Sequence, residues 1–464
     1  MEFLIIALGL FLSYLLTRAS LSVFGVGKPK NLPPGPTQLP IIGNLHLLGD
    51  QPHQSLAKLA TIHGPVMFLK LGRISVLVIS SAAATKQVLQ KQDLAFSSRY
   101  IPTPSPPTII PITPSSGSPS PPSGGVSEDF LTPTSSLTTP LMLTSIYGGR
   151  KLKNWWHTAG KPANPYEDSG KEFKELVGNM MVEAGKPNLV DFFPVLRKID
   201  PQGIRKRLTR YFGKVFEIFE ALIEERLGIN GSKHDDVLDE CLKFSEENPD
   251  EINRTHINSL LLDLFAAGTD TTSNSLEWAM TEVLRNPHSM TKAKQELEDV
   301  IGKGKMVEES DISRLPYLGC IVKETLRIHP PVPFLIPRKN VNEVKLNGYN
   351  VPKGTQVLVN AWAIGRDPTI WEDSMKFMPE RFLTSSLDVH GRDFELVPFG
   401  AGRRICPGLP LAARMLPVML GSLLNNFNWN LDGGLRLDEL DMDEKFGITL
   451  QKATSLCVVP FPMD

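Results

Sequence analysis

Two apolar runs, Val66 to Leu71 and Ile74 to Ile79, are separated only by Gly72-Arg73. Strand-length apolar runs around a short turn predict a β-hairpin. Val344 to Leu346 and Tyr349 to Val351 flank Asn347-Gly348, and Asn-Gly supplies the two positive-φ residues of a tight hairpin turn. Gln356 to Asn360 predicts one more strand. In the second half the apolar period lengthens to that of a helix. Asn253 can cap a helix running through Leu284 and ending before Pro287. Ser289 to Ile301 predicts a polar amphipathic helix stopped by Gly302. Tyr317 to Ile328 predicts a helix ending at His329-Pro330-Pro331, and Leu411 to Leu424 an apolar helix with Pro417 as a kink. The sum is mainly α with small β-sheets, and no internal repeat is visible.

The ends of the pattern differ from its middle. Phe3 to Thr17 is uncharged and dominated by Leu, Ile and Phe, and apolar character resumes after Arg18 through Gly27. A spanning helix needs roughly 20 apolar residues. Arg18, Lys28 and Lys30 follow the run, which keeps that side cytosolic by the positive-inside rule. Residues 1–27 are therefore expected to form a single membrane anchor, with residues 28–36 as a stiff hinge around Pro33-Pro34-Gly35-Pro36. A cleaved secretory signal is the alternative, and the acidic Glu2 speaks against it. Residues 37–464 then form the catalytic body, on the cytosolic side of the membrane.

One stretch interrupts that body. Between Arg99 and Arg150 only Glu128 and Asp129 carry charge, and eleven of the 39 prolines lie from Pro102 to Pro140. Residues 102–161 lack a periodic apolar face, so an irregular segment is expected there. It runs into Asn154-Trp155-Trp156-His157.

Composition narrows the function classes. The chain has 464 residues, 41% of them hydrophobic, enough for a large core. A formal net charge of −1 offers no concentrated basic footprint for nucleic acid. The four cysteines, Cys241, Cys320, Cys406 and Cys457, are too few and too scattered for a disulfide framework or a zinc site.

The strongest chemical signal is Phe399-Gly400-Ala401-Gly402-Arg403-Arg404-Ile405-Cys406-Pro407-Gly408. Its glycines can let backbone approach a flat ligand. Neighbouring N–H groups and arginines should favour the thiolate of Cys406, which can ligate haem iron. A lone cysteine in a turn is more often structural, and it is the whole string that favours a ligand. Glu324-Thr325-Leu326-Arg327 places Glu324 and Arg327 on one helix face. By itself such a pair is usually a solvated face. Ala267-Gly268-Thr269-Asp270-Thr271-Thr272 puts poor helix formers inside the helix from Asn253 to Leu284. That cost predicts a local opening at a functional site.

Together these strings resemble the cytochrome P-450 superfamily of haem-thiolate monooxygenases, from Pro33 to Pro462 except for the insert. The phrases Asn188-Leu189-Val190-Asp191-Phe192-Phe193-Pro194 and Asp200-Pro201-Gln202-Gly203 resemble the plant microsomal type, near its geraniol 8-hydroxylase-like group. The resemblance implies a cytochrome P-450 fold and haem b held through Cys406. Arg404 and Arg338 would bind its carboxylates, and Phe399, Ala267 and Gly268 would lie against it. It implies that Asp270 relays protons and Thr271 hydrogen-bonds oxygen in the groove. Glu324, Arg327 and Arg381, the last in Pro379-Glu380-Arg381-Phe382, would form a structural ion network. Pro331 to Ile336 would supply an apolar wall for substrate. The implied partner is an NADPH-dependent reductase and the implied place is the endoplasmic reticulum membrane. The implied substrate is a small apolar plant metabolite, terpenoid or phenolic, and the implied state a monomer.

The family carries a helix of Trp-Arg character where this chain has its proline-rich insert. The genetic code suggests why. Trp155-Trp156-His157, read one nucleotide early, must give Leu-Val-Ala followed by Tyr or His, and Gly124 to Phe130 so read permits Trp-Arg-Ser-Leu-Arg-Arg-Leu. An out-of-frame stretch, with normal frame resuming near Pro165-Tyr166, is therefore expected. Three functions compete: a working monooxygenase, an impaired product of a disrupted frame, and a haem-thiolate isomerase or dehydratase. Asp270 and Thr271 argue against the last.

Overall fold

The computed structural model describes residues 31–100, 168–228, 236–434 and 436–462, with Gly9 and Ser13. The expected anchor and the proline-rich insert lie outside these residues. Among those described, no helix is long and apolar enough to cross a membrane.

The longer helices are α1 (Pro52–His63), α2 (Asp168–Gly185), α3 (Ile204–Gly228), α4 (Val237–Glu247) and α5 (Arg254–Leu262). They continue with α6 (Gly268–Arg285), α7 (Pro287–Val300), α8 (Pro316–Ile328) and α9 (Leu409–Asn426). The strands are β1 (Val66–Leu71), β2 (Ile74–Ile79), β3 (Ser98–Arg99), β4 (Arg338–Lys339), β5 (Val344–Leu346), β6 (Tyr349–Val351) and β7 (Gln356–Val359). Four more follow: β8 (Phe427–Leu431), β9 (Glu444–Lys445), β10 (Gln451–Lys452) and β11 (Val458–Pro462).

The main sheet has the order β1-β2-β7-β4-β3. Its β1–β2 hairpin pairs Val66 with Ile79 through Leu71 with Ile74, as the apolar runs predict. The β5–β6 turn holds Asn347 at φ 48° and Gly348 at φ 83°, the conformation for which Asn-Gly is suited. At the far edge β3 and β4 set Arg99 directly opposite Arg338. The Pro-rich run before β1 docks on the sheet: the Phe68 N–H donates to the Pro34 carbonyl at 2.8 Å.

Asn253 caps α5 in a capping box with His256. The helix reaches Arg285, but in two pieces joined by a π-helical turn, Asp263–Ala267. The expected opening thus lies just before Gly268, as a wide turn rather than a break. Pro287 occupies the first turn of α7, where its missing N–H costs nothing. The last helix, α9, runs through Pro417.

Two apolar clusters form the helical body. Ala279, Val283, Leu297, Leu318, Ile321, Leu416 and Leu420 join α6, α7, α8 and α9. Phe173, Leu208, Val215, Phe219, Ile223 and Leu261 join α2, α3 and α5. The first cluster holds up the cysteine loop, which leads directly into α9.

Candidate active site

Cys406 sits one turn before α9. Its backbone N–H donates to the Phe399 carbonyl at 2.9 Å, closing the loop on itself. Gly402 has φ +67°, and a Cβ there would lie 2.0 Å from the Leu89 carbonyl oxygen. That glycine lets the loop press against protein backbone, a different use from the expected approach to a flat ligand. Burial pushes Cys406 up, and the Gly408 and Leu409 N–H groups and the Arg99 charge only partly offset it. Desolvation is the larger effect there.

Three arginines converge beside this loop. Arg338 is buried, and its Nη2 donates to the Ala401 carbonyl at 3.1 Å. Its Nη1 is buried with no hydrogen-bond partner among the described residues. Arg404 donates from Nε to the Ser97 carbonyl at 2.8 Å. Arg99 is held opposite Arg338 by strand pairing and reaches the Ile336 carbonyl at 3.4 Å. Burial, then the charges of Arg99 and Arg404, push Arg338 down to about 9. Burial, then the charge of Arg404, push Arg99 down to about 10. Crowded cations, one with an orphaned buried N–H, fit an absent anion. The carboxylates of a haem held through Cys406 would match that need. Sequence reasoning named Arg338 and Arg404 but not Arg99. The signal for Arg99 was its place in a two-residue edge strand, too short to read from periodicity.

Further polar groups lie on α6 and in the π-turn before it. The Thr271 hydroxyl donates to the Ala267 carbonyl at 2.6 Å, so it is satisfied within its own helix. The Asp270 carboxylate accepts from the Thr449 hydroxyl and, at 3.2 Å, from the Gln451 amide. Ala267 and Gly268 continue the π-turn into α6, and both keep open surface. Leu335 adopts φ 52° in the apolar run after Pro331 and packs near Gly400. Phe399 is half-buried against the helical core.

Glu324, Arg327 and Arg381 are brought together where α8 meets the segment Met378 to Phe382. Arg327 donates from Nε and Nη2 to the two oxygens of Glu324, both at 2.7 Å, and Arg381 Nε donates to Glu324 at 3.1 Å. Glu324 and Arg327 are fully buried. Arg327 further donates to the carbonyls of Ser374 at 2.7 Å and Lys376 at 3.1 Å, and the Met378 N–H donates to Glu324 at 2.8 Å. The pair is thus part of the interior and not a solvated helix face.

A second buried cluster escaped sequence reasoning. Glu444 accepts from His53 at 2.9 Å and from the Trp362 indole at 3.0 Å, with Arg366 at 3.4 Å. His329 lies 3.6 Å from Glu444, meets Glu282 at 2.8 Å and stacks on Trp278 with ring centroids 3.7 Å apart. These residues are far apart in the chain and share no motif, so only the fold reveals them.

Residues 33–106 and 158–458 match the family Cytochrome P450. The chain is 56% identical to 7-ethoxycoumarin O-deethylase of Helianthus tuberosus, over all of both chains. It is 55% identical to geraniol 8-hydroxylase of Catharanthus roseus, over 93% of this chain and 94% of the relative. With geraniol 8-hydroxylase of Swertia mussotii it shares 54% identity over 100% of this chain and 99% of the relative. The alignment with the Helianthus protein runs to 507 positions, more than the 464 residues present here. With the arginine-flanked cysteine loop, these likenesses establish that the chain belongs to the cytochrome P450 family of monooxygenases, near its geraniol 8-hydroxylase-like group.

Proposed function

We propose that this chain uses haem b to hydroxylate a small apolar plant metabolite, a terpenoid or a simple phenolic, with electrons drawn from NADPH through a reductase. It works as a monomer, held to the endoplasmic reticulum membrane by residues 1–27 with its catalytic body cytosolic. The observation that carries this reading is the convergence of Arg99, Arg338 and Arg404 beside Cys406, with the buried Nη1 of Arg338 left for an anion. Cys406 would hold the iron and the three arginines the haem carboxylates. When bound, haem supplies the reducible iron at which dioxygen is activated.

The protein supplies the rest. Backbone N–H groups of Gly408 and Leu409 face the sulfur and favour its charged form. The Glu324–Arg327–Arg381 network fixes the loop after Met378 and, through it, the approach to Cys406. The apolar run Pro331 to Ile336 walls off water and offers an apolar substrate a surface to bury. Asp270 and Thr271 are the groups placed to hold and move protons in the groove of α6. The substrate class rests on the relatives named for geraniol and 7-ethoxycoumarin, and fold alone would not supply it.

A second reading is favoured by one observation: the family match omits residues 107–157, while the alignment is longer than the chain. On that reading a displaced frame has replaced a helix, and the product binds haem poorly. A reduced carbon-monoxide difference spectrum of the full chain separates the two. A thiolate-type Soret band that disappears in Cys406→Ser supports the first; no band in the parent chain supports the second. Turnover of geraniol and 7-ethoxycoumarin with a reductase then tests the substrate class, and conversion of neither rejects it.

A further inference from the structure

The proton-handling carboxylate of α6 is gripped from outside its own helix. Asp270 Oδ2 accepts from the Thr449 hydroxyl, and Oδ1 accepts from Gln451 Nε2 at 3.2 Å. The same Gln451 amide lies 3.5 Å from the Thr449 hydroxyl, so the two donors brace one another. Asn274, one turn along, reaches Oδ2 only at 3.5 Å. Thr449 is buried, and both donors come from the hairpin of β9 and β10.

That hairpin is itself fixed at several points. Glu444 at its start is locked by His53, Trp362 and Arg366. Phe446 stacks on His53 with centroids 5.5 Å apart and meets Phe334 edge-on at 5.8 Å. The Leu450 N–H donates to the Pro331 carbonyl at 2.8 Å. The rotamer of Asp270 is therefore set by a neighbouring element fixed at several points.

We propose that Thr449, assisted by Gln451, is the positioning residue for Asp270, holding its carboxylate in the orientation from which it handles protons. The role rests on the monooxygenase reading and adds to it a residue from the C-terminal hairpin. A hydroxyl can donate to the carboxylate, a methyl in its place cannot, and serine keeps the donor. Thr449→Val should therefore act on the chemical step and leave substrate affinity unchanged.

The test compares the full chain with Thr449→Val, Thr449→Ser and Gln451→Leu. In Thr449→Val, kcat should fall about tenfold, the kinetic equivalent of one lost hydrogen bond to a charged group, with KM unchanged. More NADPH should be consumed per product formed, and Thr449→Ser should restore most of both. Gln451→Leu should show a smaller change of the same kind. Independently of haem loading or turnover, a thermal-unfolding cycle of Thr449→Val, Asp270→Asn and the pair should be non-additive, because the contact is direct. A parent chain without turnover rejects the monooxygenase reading, and the thermal cycle then decides the contact alone. The positioning role is overturned by additive thermal shifts, by an unchanged kcat in Thr449→Val, or by a serine variant no better than valine.

Discussion

At the scale of single residues the site is organised by charge left uncompensated. Arg338 faces Arg99 across a strand pair and Arg404 along the loop, with burial and like charge both acting against its ionisation. The missing anion then does measurable work when it binds. Removing one arginine should cost roughly 1.5–3 kcal/mol of haem binding, the usual worth of a hydrogen bond to a charged group. Arg99→Leu is the informative variant, because Arg99 is only half-buried and its loss leaves the loop contacts of Arg338 and Arg404 in place. Haem transfer to an apo-globin acceptor should be about ten- to a hundredfold faster in Arg99→Leu; an unchanged rate would place Arg99 outside the site. Cys406, Arg404 and Arg338 were legible because they sit in strings with fixed internal spacing. Arg99 was not, since its partner is 239 positions away and is found only by strand register.

Elements with a clear apolar run or period and a turn or cap at the end were read correctly from the chain; elements whose pattern is diluted or very short were not. The two hairpins, the Asn253 cap and the helices α7 and α8 follow from apolar period and from turn and capping residues. The helices α2, α3 and α4 were missed, although Leu208, Val215, Phe219 and Ile223 bury one face of α3. Their polar faces carry many charges, which diluted the pattern. The π-turn before Gly268 was anticipated as a weak point but not as a wide turn, because the bulge belongs to hydrogen bonding and not to composition. Two variants test these elements. Glu324→Gln leaves Arg327 and Arg381 without their buried anion and should destabilise the fold by about 3–5 kcal/mol in chemical unfolding; a loss below 1 kcal/mol would mean the network is dispensable. For Glu444, burial acts to raise the carboxyl, but the nearby His329, the bond from His53 and the charge of Arg366 hold it far below the usual range. A depressed carboxyl stabilises the fold fully above its unfolded pKa, near ~4.3, and that gain drains away as pH falls toward the folded value. Glu444→Gln should therefore melt well below the parent at pH 7, and the gap between them should narrow steadily below about pH 4. A gap independent of pH would show that the ion cluster is not what couples stability to acid.

The whole molecule poses a question that no single contact answers: a family body is present on both sides of a segment that the family does not contain. Residues 33–106 and 158–458 match the family, and the 507-position alignment with the Helianthus protein outruns the 464 residues of this chain. A natural loop inserted into an intact domain would lengthen the chain relative to its kin. Here the alignment holds 507 − 464 = 43 positions at which this chain has no residue, so family residues are missing as well as foreign ones present. The Pro, Ser and Thr of residues 102–140 cannot bury an apolar face, whereas Trp155-Trp156-His157 read one nucleotide early is forced to Leu-Val-Ala. A displaced reading frame accounts for both facts. The transcript should therefore be open in the displaced frame from Gly124 to His157, and should encode Trp-Arg-Ser-Leu-Arg-Arg-Leu in place of Gly124 to Phe130. Expressed side by side, the restored chain should load more haem per protein than the present one, because a helix would again close the site near Arg99 and Arg338. A stop codon in the displaced frame within that stretch would refute the displacement. Equal haem loading in the two chains would show that the segment lies outside what the haem needs.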